Sequence, residues 1–462
     1  SQSTVLTQQA GYVAANPNLA NGAARIILNE VTSTNRSQLN GYTEVAGQQA
    51  EVIIANPNGI TCNGCGFINT SRGVLTTGTP VLGTSGGLDA FRVTGGDIQI
   101  GTAGLNGSNL NQLDLISRSL QVNGQLWANN LNVLTGANLV NYNTLGVQVI
   151  PGTGNKPTVG IDVALLGGMY ANKIKMIGTE AGVGVNSLGT LAAQAGDFIL
   201  DNQGLITLAG STTASGNLSV SSAAAVTSSG TLAAQGNLTL NAASLNSTGT
   251  LAAGLNSAGA ATGNLSITTQ GQTLATGRNL SGGNLSITAS NINLVNSSTQ
   301  ARNNITLAAT ANIDHSNAQT LAGQDLNLSA ATLIGNGRLI AGRDANLSLQ
   351  GNYTNTVGNV IKANRNLALS TTGILKNQTV LEAVGNLTLT AASLDNQIAA
   401  TINASNTTLN STGRITNAGR ITGNNVSSTS ASFSNTGSVM GHVLMINTGS
   451  LDKTGAGAFI GA

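Results

Sequence analysis

From about residue 183 onward, apolar and polar side chains alternate over three to five positions, pause at Gly and Asn, and resume about twenty residues later. The segments Gly216-Asn217-Leu218-Ser219-Val220, Gly236-Asn237-Leu238-Thr239-Leu240, Gly263-Asn264-Leu265-Ser266-Ile267 and Gly283-Asn284-Leu285-Ser286-Ile287 carry the pattern, which continues through Asn386-Leu387-Thr388-Leu389. The first apolar residues fall at 218, 238, 265, 285, 305, 326, 347, 367 and 387, and Phe198 extends the series one step earlier. A second short alternating run precedes each, as in Leu245–Ala253 and Leu333–Gly342. Period-two alternation bounded by turn-formers predicts short strands. Gly and Asn supply the left-handed backbone that tight corners need. No 3.6-residue period competes.

A repeat of about twenty residues with two or three short strands is too short for a propeller blade and lacks the Leu-rich-repeat pattern. It fits one coil of a parallel β-helix. Successive coils stack at ~4.8 Å, so equivalent residues form ladders, and the Asn of each Asn-Leu corner is expected to sit on the Asn of the next coil. The expected fold class is therefore all-β, a right-handed parallel β-helix (solenoid) with small extra-helical β-hairpins and loops in its N-terminal part. Leu120–Leu126 and Asn130–Leu134 fit coils, whereas 76–96 reads as loop-rich and 141–162 does not fit, with Ile150–Pro157 a turn or hairpin outside the coil. A domain boundary is expected near residue 180, giving 1–182 and 183–462.

Composition agrees with a ladder. Charged residues make up 7% of the 462, aromatics 2%, and Gly contributes 60, against ~25% charged in ordinary globular proteins. Like charges stacked coil on coil would repel, so a ladder excludes them. The Leu, Ile and Val rhythm argues against disorder. The net charge of +2 comes with no basic run and no interleaved aromatics, so no nucleic-acid partner is expected. No apolar run approaches the ~20 residues of a membrane-spanning helix. With neither an initiator Met nor a signal peptide at its start, the chain is expected to be a trimmed piece.

Candidate chemistry concentrates at residues 51–70, EVIIANPNGITCNGCGFINT. Glu51–Ala55 reads as a buried strand. Asn56-Pro57-Asn58-Gly59 reads as a type I turn, with Pro at its second position and Gly at its fourth, and Gly59-Ile60 begins the next strand. Asn16-Pro17-Asn18-Leu19 is a second version 40 residues earlier. Cys62 and Cys65 are the chain's only cysteines. A zinc site would need two more soft ligands, and a thioredoxin-like centre needs a βαβ context that is missing. A tight disulfide clipping the corner, or two free core thiols, remains, and the pair is assigned as a disulfide. No metal site, cofactor or catalytic residue is expected. Asp314-His315 lacks a nucleophile and reads as a structural corner pair. Asp325 and Asp344, accompanied by Arg338 and Arg343, read as solvated ion pairs.

Longer motifs carry a family resemblance: Asn16–Leu19, Ile26–Val31, Leu39–Gly47, Val52–Asn69, Leu166–Ala171 and Thr179–Val185. Residues 1 to about 190 resemble the secretion domain of two-partner-secretion exoproteins, the filamentous haemagglutinins and more closely the contact-dependent growth inhibition proteins of Gram-negative bacteria. The remainder resembles the start of their filament repeats. The resemblance implies a non-enzymatic, secreted cell-surface stalk or adhesin, the N-terminal part of a toxin carrier, exported through the periplasm and outer membrane by a β-barrel transporter with POTRA domains. It implies that Asn16, Pro17, Asn18, Leu19, Asn56, Pro57, Asn58, Gly59 and Ile60 belong to the secretion-determining core, as partner contacts or as corners. Any receptor would be met through regions outside this chain. Family domains carry more residues before Asn16, including a cap on the first coil, so an N-terminal truncation is expected. A two-partner-secreted haemolysin or cytolysin is the alternative, and a β-helix polysaccharide-degrading enzyme the remote one.

Overall fold

The computed structural model describes residues 2–19, 22–254, 262–455 and 458–461. The described residues form strands and turns without a helix. Contacts divide the chain into two compact units, 1–243 and 244–462.

Unit 1 winds as a parallel β-solenoid. Its first coil consists of Ile26–Glu30, Ser37–Leu39 and Tyr42–Glu44, and the second of Ala50–Ala55, Ile60–Cys62 and Cys65–Ile68. Each strand pairs in parallel with its counterpart one coil on. The alternation read in the sequence aims every second side chain inward. Ile60, Ile98, Leu120, Ile161, Val185, Ile206 and Val226 thus occupy one register position in successive coils, and each is at most 2% exposed. Stacked aliphatic columns of this kind supply much of what unit 1 buries.

One departure stands beside the solenoid. Thr79–Leu82, Leu88–Val93, Asn138–Asn141 and Val147–Val149 form a four-stranded antiparallel sheet. The stretch read as loop-rich, 76–96, therefore contains one full hairpin of this sheet. Ile150–Pro157 follows the last of its strands as strandless turn and loop. Phe91, Val93, Val140 and Tyr142 pack on Ile53, Val74, Ile116 and Leu134 of the coils. A polar rivet accompanies this core. Arg72 Nε donates to Asp114 Oδ2 at 2.7 Å, its guanidinium lies 4.4 Å from the Tyr142 ring centroid, and the Tyr142 hydroxyl donates to Glu51. Burial, and then the bond to the Glu51 carboxylate, push the Tyr142 phenol above its ordinary pKa.

Unit 2 is a second run of parallel coils, more regular than unit 1. Ile267, Ile287, Leu307, Leu328, Leu347, Leu369, Leu389 and Leu409 share one register position. The register departs from the sequence rhythm by two residues at one coil. Leu326 pairs with Ala345, and Leu347 pairs with Leu328. Side-chain direction repeats every two residues, so a two-residue slip leaves the apolar face intact and invisible in the pattern. Asp344, not Asn346, then occupies the corner.

Two hydrogen-bond ladders involving side chains run along this unit. The outer one is the expected corner ladder. Each new corner N–H donates to the Oδ1 of the preceding corner: Asn284 to Asn264 at 2.8 Å, Asp325 to Asn304 at 3.0 Å, Asp344 to Asp325 at 3.2 Å and Asn386 to Asn366 at 3.1 Å. The inner ladder was not foreseen. Asn355, Asn377, Asn396, Asn417 and Asn435 are 0% exposed. Each of the first four donates Nδ2–H to the Oδ1 of the next, at 2.7, 2.9, 2.7 and 2.7 Å.

Candidate functional site

Asn56 ends the strand Ala50–Ala55 with its side chain wholly buried. Its N–H donates to Thr76 O at 2.9 Å, and its C=O accepts from Gly59 N–H at 3.0 Å. Its Oδ1 accepts from Asn58 N–H at 2.9 Å, and its Nδ2 donates to Asn35 O and Ser37 Oγ, both at 2.9 Å. One carboxamide thus closes its own turn and ties the corner to the first coil. Gly59 sits at φ +105°, a conformation that favours Gly. A Cβ there would also collide with the Arg36 guanidinium. Within the motif Asn56, Gly59 and Ile60 are buried, Pro57 is half-buried and Asn58 is exposed.

Arg36 explains that crowding. Its Nε donates to Thr61 Oγ1 at 2.7 Å, and its other nitrogens reach Ile60 O at 2.8 Å and the Asp97 carboxylate at 2.7 and 3.0 Å. Three consecutive coils are clamped across the corner. Beside it, Cys62 and Cys65 form a disulfide with Cα atoms 5.4 Å apart.

The second motif builds the same local turn in the open. Asn16 Oδ1 accepts from Asn18 N–H at 3.0 Å, and Asn16 O accepts from Leu19 N–H at 3.2 Å. Asn16, Pro17 and Asn18 are exposed and Leu19 is half-buried. Asn16 and Leu19, with Val13, Ile27 and Val45, line a cavity of about 340 Å³ between the N-terminal segment and the first coil. Ahead of it, Val5–Thr7 and Gly11–Val13 form an antiparallel hairpin. The hairpin turn sits on Glu44, whose carboxylate accepts from Gln8 N–H at 2.7 Å and Gln9 N–H at 2.9 Å. The two motifs therefore do different jobs: one fastens a buried corner, and the other shapes the covering of the first coil.

Comparison with known proteins bears on this region. The family model for the TPS secretion domain, the export domain of two-partner secretion, matches residues 9–208. Residues 9–208 thus match a TPS secretion domain.

Several known proteins are similar to part of this chain. The "16S rRNA endonuclease CdiA" of Enterobacter cloacae is 51% identical over 215 residues, 46% of this chain and 6% of that protein. "Toxin CdiA" of Yersinia pestis is 48% identical over the same length, with the same shares covered. The "tRNA nuclease CdiA-2" of Burkholderia pseudomallei is 46% identical over 273 residues, 54% of this chain and 9% of that protein. The chain thus spans under a tenth of these relatives. Among solved structures, a crystal structure of the filamentous hemagglutinin secretion domain matches at 27% identity and a TM-score of 0.40, covering 58% of this chain and 82% of that one.

Sequence reasoning passed over the residues that hold the TPS domain's corner and its side sheet: Arg36, Asp97, Glu44, Arg72, Asp114 and Glu51. Their signal was rarity. In a chain with 7% charged residues, an Arg or Asp within a strand region must have a partner, although the partner lies 42 to 61 positions away in the two clamps. Outside the TPS domain, His315 is buried, with Nε2 3.0 Å from Thr320 Oγ1. Burial lowers its pKa to about 4. Asp314 binds Ser316, so the two residues are structural. Asp325 pairs with Arg343, and Asp344 pairs with Arg365, each through an Nε–H bond at 2.7 Å. The guanidinium bonds hold both carboxyls below their ordinary pKa. Arg343 is thus one of the ion-pair partners as expected, whereas the other is Arg365 and not Arg338.

Proposed function

We propose that this chain is the export-directing and stalk-forming portion of a two-partner-secreted carrier of the contact-dependent growth inhibition type. Residues 1–182 act as the secretion signal and 183–462 as filament repeats. The chain is non-catalytic, and the nuclease and toxin names of its relatives belong to those much longer proteins. Its partner is an outer-membrane β-barrel transporter whose POTRA domains add the unfolded N-terminal segment as a strand to their own sheet. The destination is the cell surface. The regular coils of unit 2 support a stalk over a pore-forming cytolysin or a polysaccharide-degrading enzyme.

The observation that carries the mechanism is the one-directional hydrogen bonding between coils. A finished coil offers unmet corner acceptors and inner amide donors that only the next coil satisfies, so it is a template for its successor. No nucleotide is needed. At ~0.1 kcal/mol of net stability per residue, a coil of about twenty residues adds ~2 kcal/mol, enough to oppose backward sliding through the transporter. The secretion motif enters as Asn16–Leu19 and Asn56–Ile60. The test is export in cells or vesicles carrying the cognate transporter. Deleting residues 56–60, or Asn58→Pro, which removes the N–H that Asn56 Oδ1 accepts, abolishes export. Normal export of both variants sinks the assignment.

A further inference from the structure

Three of the chain's few aromatic residues stand at one register position on the outer face of unit 1. Tyr42, Gly66, Asn106, Trp127 and Tyr170 follow one another coil by coil. Trp127 and Tyr170 stack with ring centroids 4.5 Å apart and planes 16° from parallel. Tyr42 lies over Gly66, where a Cβ would overlap its ring. Its hydroxyl accepts from Asn106 Nδ2 at 3.0 Å. Between Tyr42 and Trp127 opens a slot of about 420 Å³, floored by Cys65 and edged by Asn106, Ser108 and Gln125. No charged side chain lines it among the described residues.

A stacked Trp-Tyr pair is explained by sheet stability alone, at about 0.5–1.5 kcal/mol. The slot above it is not. The chain's one tryptophan stands outside the core with 38% of its surface exposed, and Tyr42 has 44%. Asn106 is held in place, its Oδ1 accepting from Ser108 N–H at 3.2 Å and Ser108 Oγ–H at 2.7 Å. The disulfide and the positive-φ Gly64 fix the floor. The slot therefore offers a free indole face, a second phenol, and a preset rim of amide and hydroxyl groups, with no countercharge for an anion or a cation. That chemistry matches a neutral sugar ring, whose C–H face lies on indole while its hydroxyls bond to carboxamides. The volume falls in the range of small-ligand pockets.

We propose that the slot between Tyr42 and Trp127 binds an uncharged hexopyranose unit of a polysaccharide. This is a property of the folded domain and is separate from export. The test titrates the full chain with maltotetraose, cellotetraose and mannotetraose, with tetragalacturonate as the charged counterpart. It follows Trp127 fluorescence, the only indole signal, and heat by calorimetry. At least one neutral tetrasaccharide saturates, shifts the indole emission, and binds about tenfold more tightly than tetragalacturonate. Trp127→Ala removes the binding heat, Trp127→Phe keeps part of it, and Asn106→Ala or Gln125→Ala weakens it. The idea fails if no neutral sugar saturates up to about 10 mM, if tetragalacturonate binds as tightly as the neutral sugars, or if Trp127→Ala binds as the parent does. Export of Trp127→Phe, measured in parallel, keeps failure here distinct from failure of the secretion reading.

Discussion

At the scale of single residues, Asn56 shows how one side chain sets a corner. It is wholly buried, and its carboxamide makes bonds on both its oxygen and its nitrogen. Asn56→Ala leaves Asn35 O, Ser37 Oγ and Asn58 N–H short of a partner. The expected cost is about 2–4 kcal/mol, because unmet buried groups keep their desolvation penalty. Asn56→Asp keeps the acceptor but loses the donor and costs at least as much. Urea unfolding and amide exchange across residues 50–62 read the effect, and parent-like protection in both variants would contradict it. His315 gives a pH prediction. Its native pKa of about 4 lies below the ordinary 6.5, so the unfolded chain binds the extra proton. Its contribution is fully present above pH 6.5, falls as pH drops through the window, and levels off below about 4. The shift corresponds to a loss on the order of 3 kcal/mol. Amide protection factors of residues 312–341, exchange corrected for its intrinsic base catalysis, should fall between pH 7 and pH 5 in the parent and stay flat in His315→Gln. Equal pH dependence in the two proteins would assign the effect elsewhere.

Among elements, the inner amide ladder is the feature with most at stake. Asn396 accepts from Asn377 and donates to Asn417, all of them buried. Asn396→Asp puts a carboxylate where a donor is needed, so it should destabilise more than Asn396→Ser, which keeps a small donor and acceptor. The expected order is parent, Ser, Asp, with the Asp variant down by 3 kcal/mol or more, as for an unpaired buried charge. Thermal unfolding ranks them, and an Asp variant as stable as Ser would show that water reaches the ladder. This ladder was hard to read beforehand because Asn also marks corners, and pattern alone does not separate an inward Asn from an outward one. The twenty-residue rhythm was legible because inward residues recur at period two between Gly and Asn corners. The slip at Ala345 was not, since a shift of two preserves the face. The side sheet was hidden for a third reason. Gly83, Gly86 and Gly87 punctuate 76–96, and the bonds that hold the sheet, from Arg72 to Tyr142 O and from Tyr142 to Glu51, join residues 70 and 91 positions apart. The two Asn-Pro-Asn corners were legible as turns from Pro and Gly chemistry. That one is buried and clamped by Arg36 while the other lies exposed depends on the coil each one joins.

For the molecule as a whole, the proposed coil-by-coil export needs coupling that is strong between neighbours and absent beyond them. Within unit 2 each strand meets its counterparts one coil away, as Ile287 meets Leu307 in register. Ile287 and Leu389, by contrast, are five register steps apart. All three side chains are 0% exposed, so truncating any of them to Ala should cost about 2–5 kcal/mol. A solenoid behaves as a nearest-neighbour chain. Ile287→Ala combined with Leu389→Ala should therefore add to within ~0.5 kcal/mol, whereas Ile287→Ala with Leu307→Ala should deviate by ~0.5–3 kcal/mol, since the second truncation enlarges a cavity already open. Each pair is measured as a double-mutant cycle by urea unfolding. Equal deviation in both pairs would mean that the coils melt as one block. A finished coil would then not be stable on its own account while the rest of the chain is still in transit, and folding coil by coil would no longer supply the directional bias that export requires.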